Sequence, residues 1–292
     1  PHLEDIPHLD RNRAYEIASD AAKEKPVIVI SGAEITRELP IGHINAIFIK
    51  DANALFSAEP KQAKGVDFEQ ILEEERSSHS NFEAIKYYAK AGMYPIAEPI
   101  REANAQDGFL FWNHPSWAPQ SPNGIPPLSK SHRQWIESNE LHGIEVVNGD
   151  WYSAEAFDLA LKFDLTLIGT SDVHDLIDWD YDKNQQEHRP VTLIFSTSRD
   201  PSAVKSALMK KRTVIWFKDT LIGRREQLES LVLASLNVKS ASYLPESSIL
   251  RLVLSNNSSA SFELATARGY GFQNQAVVFR LPGKSPVGIG GL

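Results

Sequence analysis

Short, mostly apolar runs recur along this chain, at Val27–Ile30, Ala46–Ile49, Phe109–Trp112, Ile144–Val147 and Leu165–Ile168. They are continuous rather than alternating, the pattern of strands covered on both faces. Between most of them lie segments whose apolar positions return every three to four residues. Residues 11–24 form one amphipathic helix with Asp10 placed to cap it, and residues 82–106, 129–139 and 153–162 give others. Strands alternating with helices predict a parallel sheet or barrel. Val191–Phe195 and Thr213–Phe217, on either side of a helix at 201–211, would extend or close it. From about Arg224 the pattern changes. One helical stretch is followed by short β-type runs at Ile249–Leu254, Ser261–Leu264 and Ala276–Leu281, with polar breaks between them. This predicts a small all-β appendage over 224–292 behind an α/β domain over 1–223. No period of 20 to 50 residues repeats.

Composition narrows the function classes. The 292 residues are 42% hydrophobic, ordinary for a globular protein with a full core. A net charge of -8 and the lack of any dense Lys/Arg run argue against a long nucleic acid as partner. A small anionic substrate stays acceptable, because a bound cation reverses the local sign that carboxylates set. There is no cysteine, which removes disulfides, thiolate zinc sites and cysteine nucleophiles together. No apolar run reaches the roughly 20 residues that span a bilayer, and the first residues show no charged-then-apolar leader. The cysteine-free composition and the appended β region favour a periplasmic or extracellular location over the cytoplasm.

The chemistry concentrates near strand ends. Glu34 follows the small residues Ser31-Gly32-Ala33, which would let a ligand approach the backbone. His43 stands in Gly42-His43 just ahead of an apolar run, and His114 in Asn113-His114-Pro115 just after one. Pro115 is expected to hold His114 extended. Asp172 and His174 are two apart in Ser171-Asp172-Val173-His174, so on an extended backbone both face one side. Taken singly, each has a plainer explanation. Glu34 could cap a helix or pair with Arg37, the histidines could sit in loops or close strands, and the Asp–His pair could be exposed. Together, mixed carboxylate and imidazole donors suit zinc, manganese or iron, and Glu34, His43 and His114 would leave an open coordination position. His79, His132 and His142 read as surface residues, Glu73-Glu74-Glu75 as a solvated helix face, and Trp117, Trp151 and Tyr152 as packing residues or pocket walls. Arg189, ahead of a strand, could bind a phosphate bidentately or pair with Glu187, and His2 could reach substrate.

Five motifs in this order, SGAEIT with GHINAIFI, FWNHP, GIEVVNG and LIGTSDVH, resemble those of the PHP (polymerase and histidinol phosphatase) family over roughly residues 1–220. The chain is most similar to two-domain PHP-like proteins with a C-terminal β domain. The resemblance implies a distorted (β/α)7 barrel, two or three divalent ions (Zn, Mn or Fe), and hydrolysis of a phosphate mono- or diester by metal-activated water. By the same resemblance Glu34 would bridge two ions, His43 and His114 would complete one site, Asp172 would ligate the other, and His174 would serve a third. The substrate would be a small phosphorylated molecule. The family's first strand carries HxH and its second ends in TEH, and neither tripeptide occurs here. The expectation is therefore a barrel lacking its first two strands, with only the Glu34, His43, His114 site complete. No G-x-S-x-G, P-loop or dinucleotide fingerprint is present to suggest other chemistry. The alternatives are another metallohydrolase, acting on an amide or lactone, and a non-catalytic metal- or ligand-binding fragment.

Overall fold

The computed structural model describes residues 10–56, 94–182, 187–265, 278–283 and 286–287. His2, His8, His79 and the acidic run 73–75 lie outside these. Asn12, not Asp10, stands at the N-cap position of helix α1 (Arg13–Ala22) without a side-chain capping bond, and the Asp10 carboxylate accepts the Asn12 N–H at 3.0 Å. The Asn12 side chain is engaged elsewhere. It donates to Asp51 and accepts the Ala52 N–H, both at 2.8 Å, which ties α1 to the segment beyond the second strand.

Val27–Ile30 is not the buried strand that its composition predicts. It has no strand partner among the described residues, and Val27 and Ile28 are exposed. Pairing starts later because a strand forms only where a neighbour offers a ladder of donors and acceptors. Strand β1 (Gly32–Ile35) meets that condition alongside β2 (His43–Ile47), in an antiparallel register from Gly32↔Ile47 to Ile35↔Ile44. The small residue at Gly32 serves this pairing. A Cβ there would lie 2.9 Å from both the Ala46 carbonyl oxygen and an Ile47 methyl, so the strand partner occupies the space expected for a ligand.

Strand β2 also runs antiparallel to β3 (Phe109–Asn113), with His43 opposite Asn113. Beyond that the expected parallel order holds. Strand β3 is parallel to β4 (Gly143–Asn148), and β4 to β6 (Thr166–Thr170), while the two-residue β5 (Trp151–Tyr152) folds back on β4. Helix α2 (Ala97–Ala105) leads into β3, α3 (Lys130–Glu137) joins β3 to β4, and α4 (Ala154–Lys162) leads into β6. The sheet is thus mixed α/β, and among the described residues its six strands stay open rather than closing into a barrel. After α5 (Ile177–Asp180) come β7 (Val191–Ile194), α6 (Pro201–Met209) and β8 (Thr213–Phe217). Phe109, Phe111, Ile168 and Leu208 form a buried cluster with Ile47 and Ile194 against it. Each such side chain contributes about 1.5–3 kcal/mol on burial.

Two histidines assigned to the surface are core residues. His132 has no exposed surface, stacks on Trp112 at 3.9 Å, and its Nδ1 accepts the Ser129 N–H to cap α3. His142 is buried, and its Nδ1 accepts the Leu110 N–H at 3.0 Å. Burial favours the neutral ring in both, which keeps a lone pair available for the backbone.

Contacts divide the chain into Pro1–Ile215 and Trp216–Leu292. In the second unit, β9 (Thr220–Gly223) and α7 (Arg225–Ser235) precede a long antiparallel pair, β10 (Leu236–Tyr243) with β11 (Leu250–Asn256). Two further antiparallel pairings follow, β12 (Phe262–Ala265) with β13 (Val278–Leu281), and β11 with β14 (Pro286–Val287). Strand β10 alternates Leu236 with Val238 and, after a register shift, Ala241 with Tyr243, but it is exposed from Val238 onward and lacks the continuous apolar run by which buried strands are read.

Candidate metal centre

Topology decides which residues meet. Because β2 runs opposite to β1 and β3, its first residue, His43, lies at the same end of the sheet as the last residues of its two neighbours. Gly42, with a φ of 71°, makes the turn into β2, and a Cβ there would approach the Gln120 side-chain oxygen to 2.8 Å. Glu34, the third residue of β1, and His114, just beyond β3, complete the group. One ligand atom from each of Glu34, His43 and His114 falls within 4.8 Å of the others.

The carboxylate of Glu34 is held from three sides. Thr36 Oγ1 donates to it at 2.6 Å, Asn113 Nδ2 donates at 2.9 Å, and His43 Nδ1 lies 3.0 Å away. Partial burial pushes its pKa up, but His43 and then Thr36 outweigh that and hold it at about 2. It is ionised at any physiological pH. Arg37 does not pair with it, contrary to the simpler sequence explanation. Arg37 donates to the Thr36 and Tyr94 carbonyl oxygens instead, at 2.7 and 3.1 Å.

His114 is 7% exposed, and its ring meets His43 edge-on at 4.7 Å between centroids. Trp117 lies 5.1 Å from the His114 ring and 6.0 Å from that of His43, on the wall of the site. Burial, then the neighbouring His43, push the His114 pKa down, so its ring is neutral. Nδ1 of both histidines is shielded from solvent; that of His114 has no hydrogen-bond partner among the described residues, and that of His43 faces only the Glu34 carboxylate. Buried polar atoms without partners are uncommon and call for one. Two imidazoles and an ionised carboxylate converging on one gap are the donor set that a divalent transition ion takes, so the residues fit such an ion.

The backbone of His114 is not extended. Its φ is +25°, an unusual value for a residue with a side chain. Proline disfavours the helical alternative at the preceding residue, and a turn closed by Trp117 N–H on the His114 carbonyl oxygen at 2.9 Å fixes the result. The His114 N–H then points at Glu145, whose Oε2 accepts it at 2.7 Å. Glu145 is 1% exposed and also accepts from Thr170 Oγ1 at 2.5 Å and Asn148 Nδ2 at 3.1 Å, so one buried carboxylate ties together the ends of β3, β4 and β6. Burial raises its pKa to about 7. Glu145 escaped the sequence reading. The available sign was an acidic residue inside the otherwise apolar Gly143-Ile144-Glu145-Val146-Val147 of a parallel strand.

Asp172 and His174 are arranged differently from the expectation. Strand β6 ends at Thr170, and Asp172 has a φ of +51°, so the alternation that would put both side chains on one face is broken. Asp172 Oδ2 stands 4.0 Å from His114 Nε2, adjoining the three-residue cluster. His174 is exposed and outside that cluster. Arg189 is exposed ahead of β7, within electrostatic reach of the Tyr181 hydroxyl. Trp151 and Tyr152 are exposed.

A two-domain protein from Bacteroides vulgatus, containing a predicted PHP-like metal-dependent phosphoesterase, superposes on this chain with a TM-score of 0.77 and 28% identity, over 98% of this chain and 71% of that one. Over nearly its whole length the chain is thus similar to a PHP-like protein. A candidate metal-dependent phosphoesterase from Bifidobacterium adolescentis aligns over 66% of this chain and 80% of its own, but a TM-score of 0.38 and 14% identity add nothing to the argument. No family model and no curated protein sequence matches the chain. The motifs that carried the resemblance include the three clustered residues, since SGAEIT holds Glu34, GHINAIFI holds His43 and FWNHP holds His114.

Proposed function

We propose that this protein is a metal-dependent phosphoesterase that hydrolyses a small phosphate mono- or diester. The observation that carries the proposal is the convergence of Glu34, His43 and His114, with a buried His114 nitrogen that has no partner among the described residues, in a chain of PHP-like fold. A divalent ion, when bound, lowers the pKa of a coordinated water and polarises a phosphoryl oxygen, which removes any need for a cysteine or activated serine. The protein's own groups hold and orient. His43 and His114 present imidazole nitrogens, and Glu34 supplies negative charge whose direction Thr36 and Asn113 fix. Glu145 holds the strained turn at His114 through its N–H, and Trp117 limits solvent at the two rings.

Asp172, at 4.0 Å from His114, is our choice for a ligand to a neighbouring ion, with His174 serving a further one, so that two or three ions bind in all. Arg189 is assigned to the substrate phosphate. We further take residues 1–223 as the hydrolase domain and 224–292 as an appended β-rich domain.

Elemental analysis of the purified protein, of Glu34→Ala and of His114→Ala, followed by a phosphoester screen of the metal-loaded parent, tests the proposal. Zinc, manganese or iron present in the parent, lost in both variants, and accompanied by phosphate release is the expected result. A folded parent that takes up none of the three metals refutes it.

A further inference from the structure

A cavity of about 700 Å³ opens beside Glu34 and runs past Arg37 to Phe56 and Tyr94. Its far wall is aromatic, with Phe56 and Tyr94 edge to face at 5.5 Å, and the Arg11 guanidinium lies over Phe56 at 4.7 Å. Arg37 is the unusual member. Its guanidinium has five N–H groups, of which two donate to the neutral carbonyl oxygens of Thr36 and Tyr94. Its Nε is shut off from solvent and has no acceptor. No carboxylate pairs with it among the described residues, and burial alone accounts for its lowered pKa. Arginine nevertheless keeps its proton, so a partly desolvated positive charge is fixed by two backbone contacts and has no counter-charge among the described residues. Of the two described acids that line the cavity, Glu34 is turned toward His43 and Asn113, and Glu38 is exposed.

We propose that Arg37 binds a second anionic group of the substrate, so that the ester hydrolysed is one whose alcohol carries a carboxylate or another phosphate. The cavity adjoining Glu34 receives the alcohol, its aromatic wall covers the carbon portion, and the guanidinium takes the terminal oxyanion through the N–H groups that the two carbonyls leave over. This assignment rests on the phosphoesterase proposal, and the test separates the two. The Arg37 Nε–H resonance of the metal-stripped protein is followed by NMR as inorganic phosphate, then acetate, is added. Hydrolysis of ethyl phosphate, phosphoglycolate and ethylene bisphosphate is then compared in the metal-loaded parent, Arg37→Gln and Arg37→Lys.

The resonance is expected to move with the anion and to disappear in both variants. The ratio of kcat/KM for a doubly anionic ester to that for ethyl phosphate should fall about 10- to 100-fold in Arg37→Gln, the range for losing a charge-assisted hydrogen-bonded contact. A smaller fall is expected in Arg37→Lys, which keeps the charge without the fork. Phosphoglycolate and the bisphosphate distinguish a carboxylate from a phosphate at the subsite. A resonance indifferent to both anions, or an unchanged ratio in Arg37→Gln while esters are still hydrolysed, overturns the Arg37 assignment alone. A shifting resonance without hydrolysis of any ester overturns the phosphoesterase proposal and, with it, the substrate role of an anion site that itself stands.

Discussion

Replacing His132 with phenylalanine should change how stability depends on pH, by an amount that its burial sets. The ring has no exposed surface and stacks on Trp112, and desolvation lowers its pKa from 6.5 to about 4. Between those values the unfolded chain binds a proton that the folded chain refuses. Stability from this group is therefore full above pH 6.5 and is lost as pH falls toward 4. At ~1.4 kcal/mol per pH unit the whole loss is about 3 kcal/mol, with about 2 kcal/mol of it between pH 6.5 and 4.5. Glu145 acts in the opposite sense. Its folded pKa is raised from 4.5 to about 7, so its contribution is full below 4.5 and lost as pH rises through 7, again about 3 kcal/mol in all. Urea unfolding of metal-free protein at several pH values would separate them. Relative to the parent, His132→Phe should gain about 2 kcal/mol on going from pH 6.5 to 4.5, whatever its absolute loss from the missing cap at Ser129. Curves for parent and variant that stay parallel across this window would refute the argument that burial keeps His132 neutral.

Glu145→Gln keeps the shape of the side chain but replaces one acceptor oxygen with a donor, and should weaken binding of zinc about 10- to 100-fold by loosening the His114 turn, measured by competition with a chelator. Unchanged affinity would remove Glu145 from the support of the site. Gly169→Ala should destabilise the fold by about 1–3 kcal/mol, because the new Cβ would come within 2.4 Å of Ile215 Cγ2, and a fall in Tm checks it. Adding zinc at about 100 times its dissociation constant should raise the unfolding free energy of the parent by about 2.7 kcal/mol, and that of His114→Ala by far less. Equal shifts in both would place the binding somewhere other than this centre.

Periodicity and motif order were enough to locate most elements, since β3, β4, β6, β7 and β8 fall on the apolar runs and the helices between them on amphipathic segments. The reason is that burial on both faces of a parallel strand, or on one stripe of a helix, writes itself locally. Pairing partners are not local. Val27–Ile30 has the composition of a strand yet has no strand partner among the described residues and leaves Val27 and Ile28 exposed, and the reversed direction of β2 has no mark in the sequence. That reversal is what brings His43 beside Glu34 and His114. Single positive-φ residues are equally hidden, and one of them, Asp172, broke the alternation assumed for Asp172 and His174. Arg37 and Glu145 gained their roles only from what surrounds them in space. The sequence by itself determined which donors exist and which strand ends carry them. Only the tertiary structure decided which three converge, which carboxylate holds the His114 turn and which cation faces the cavity without a carboxylate partner among the described residues, because those depend on strand direction and desolvation, properties of the assembled sheet rather than of any segment.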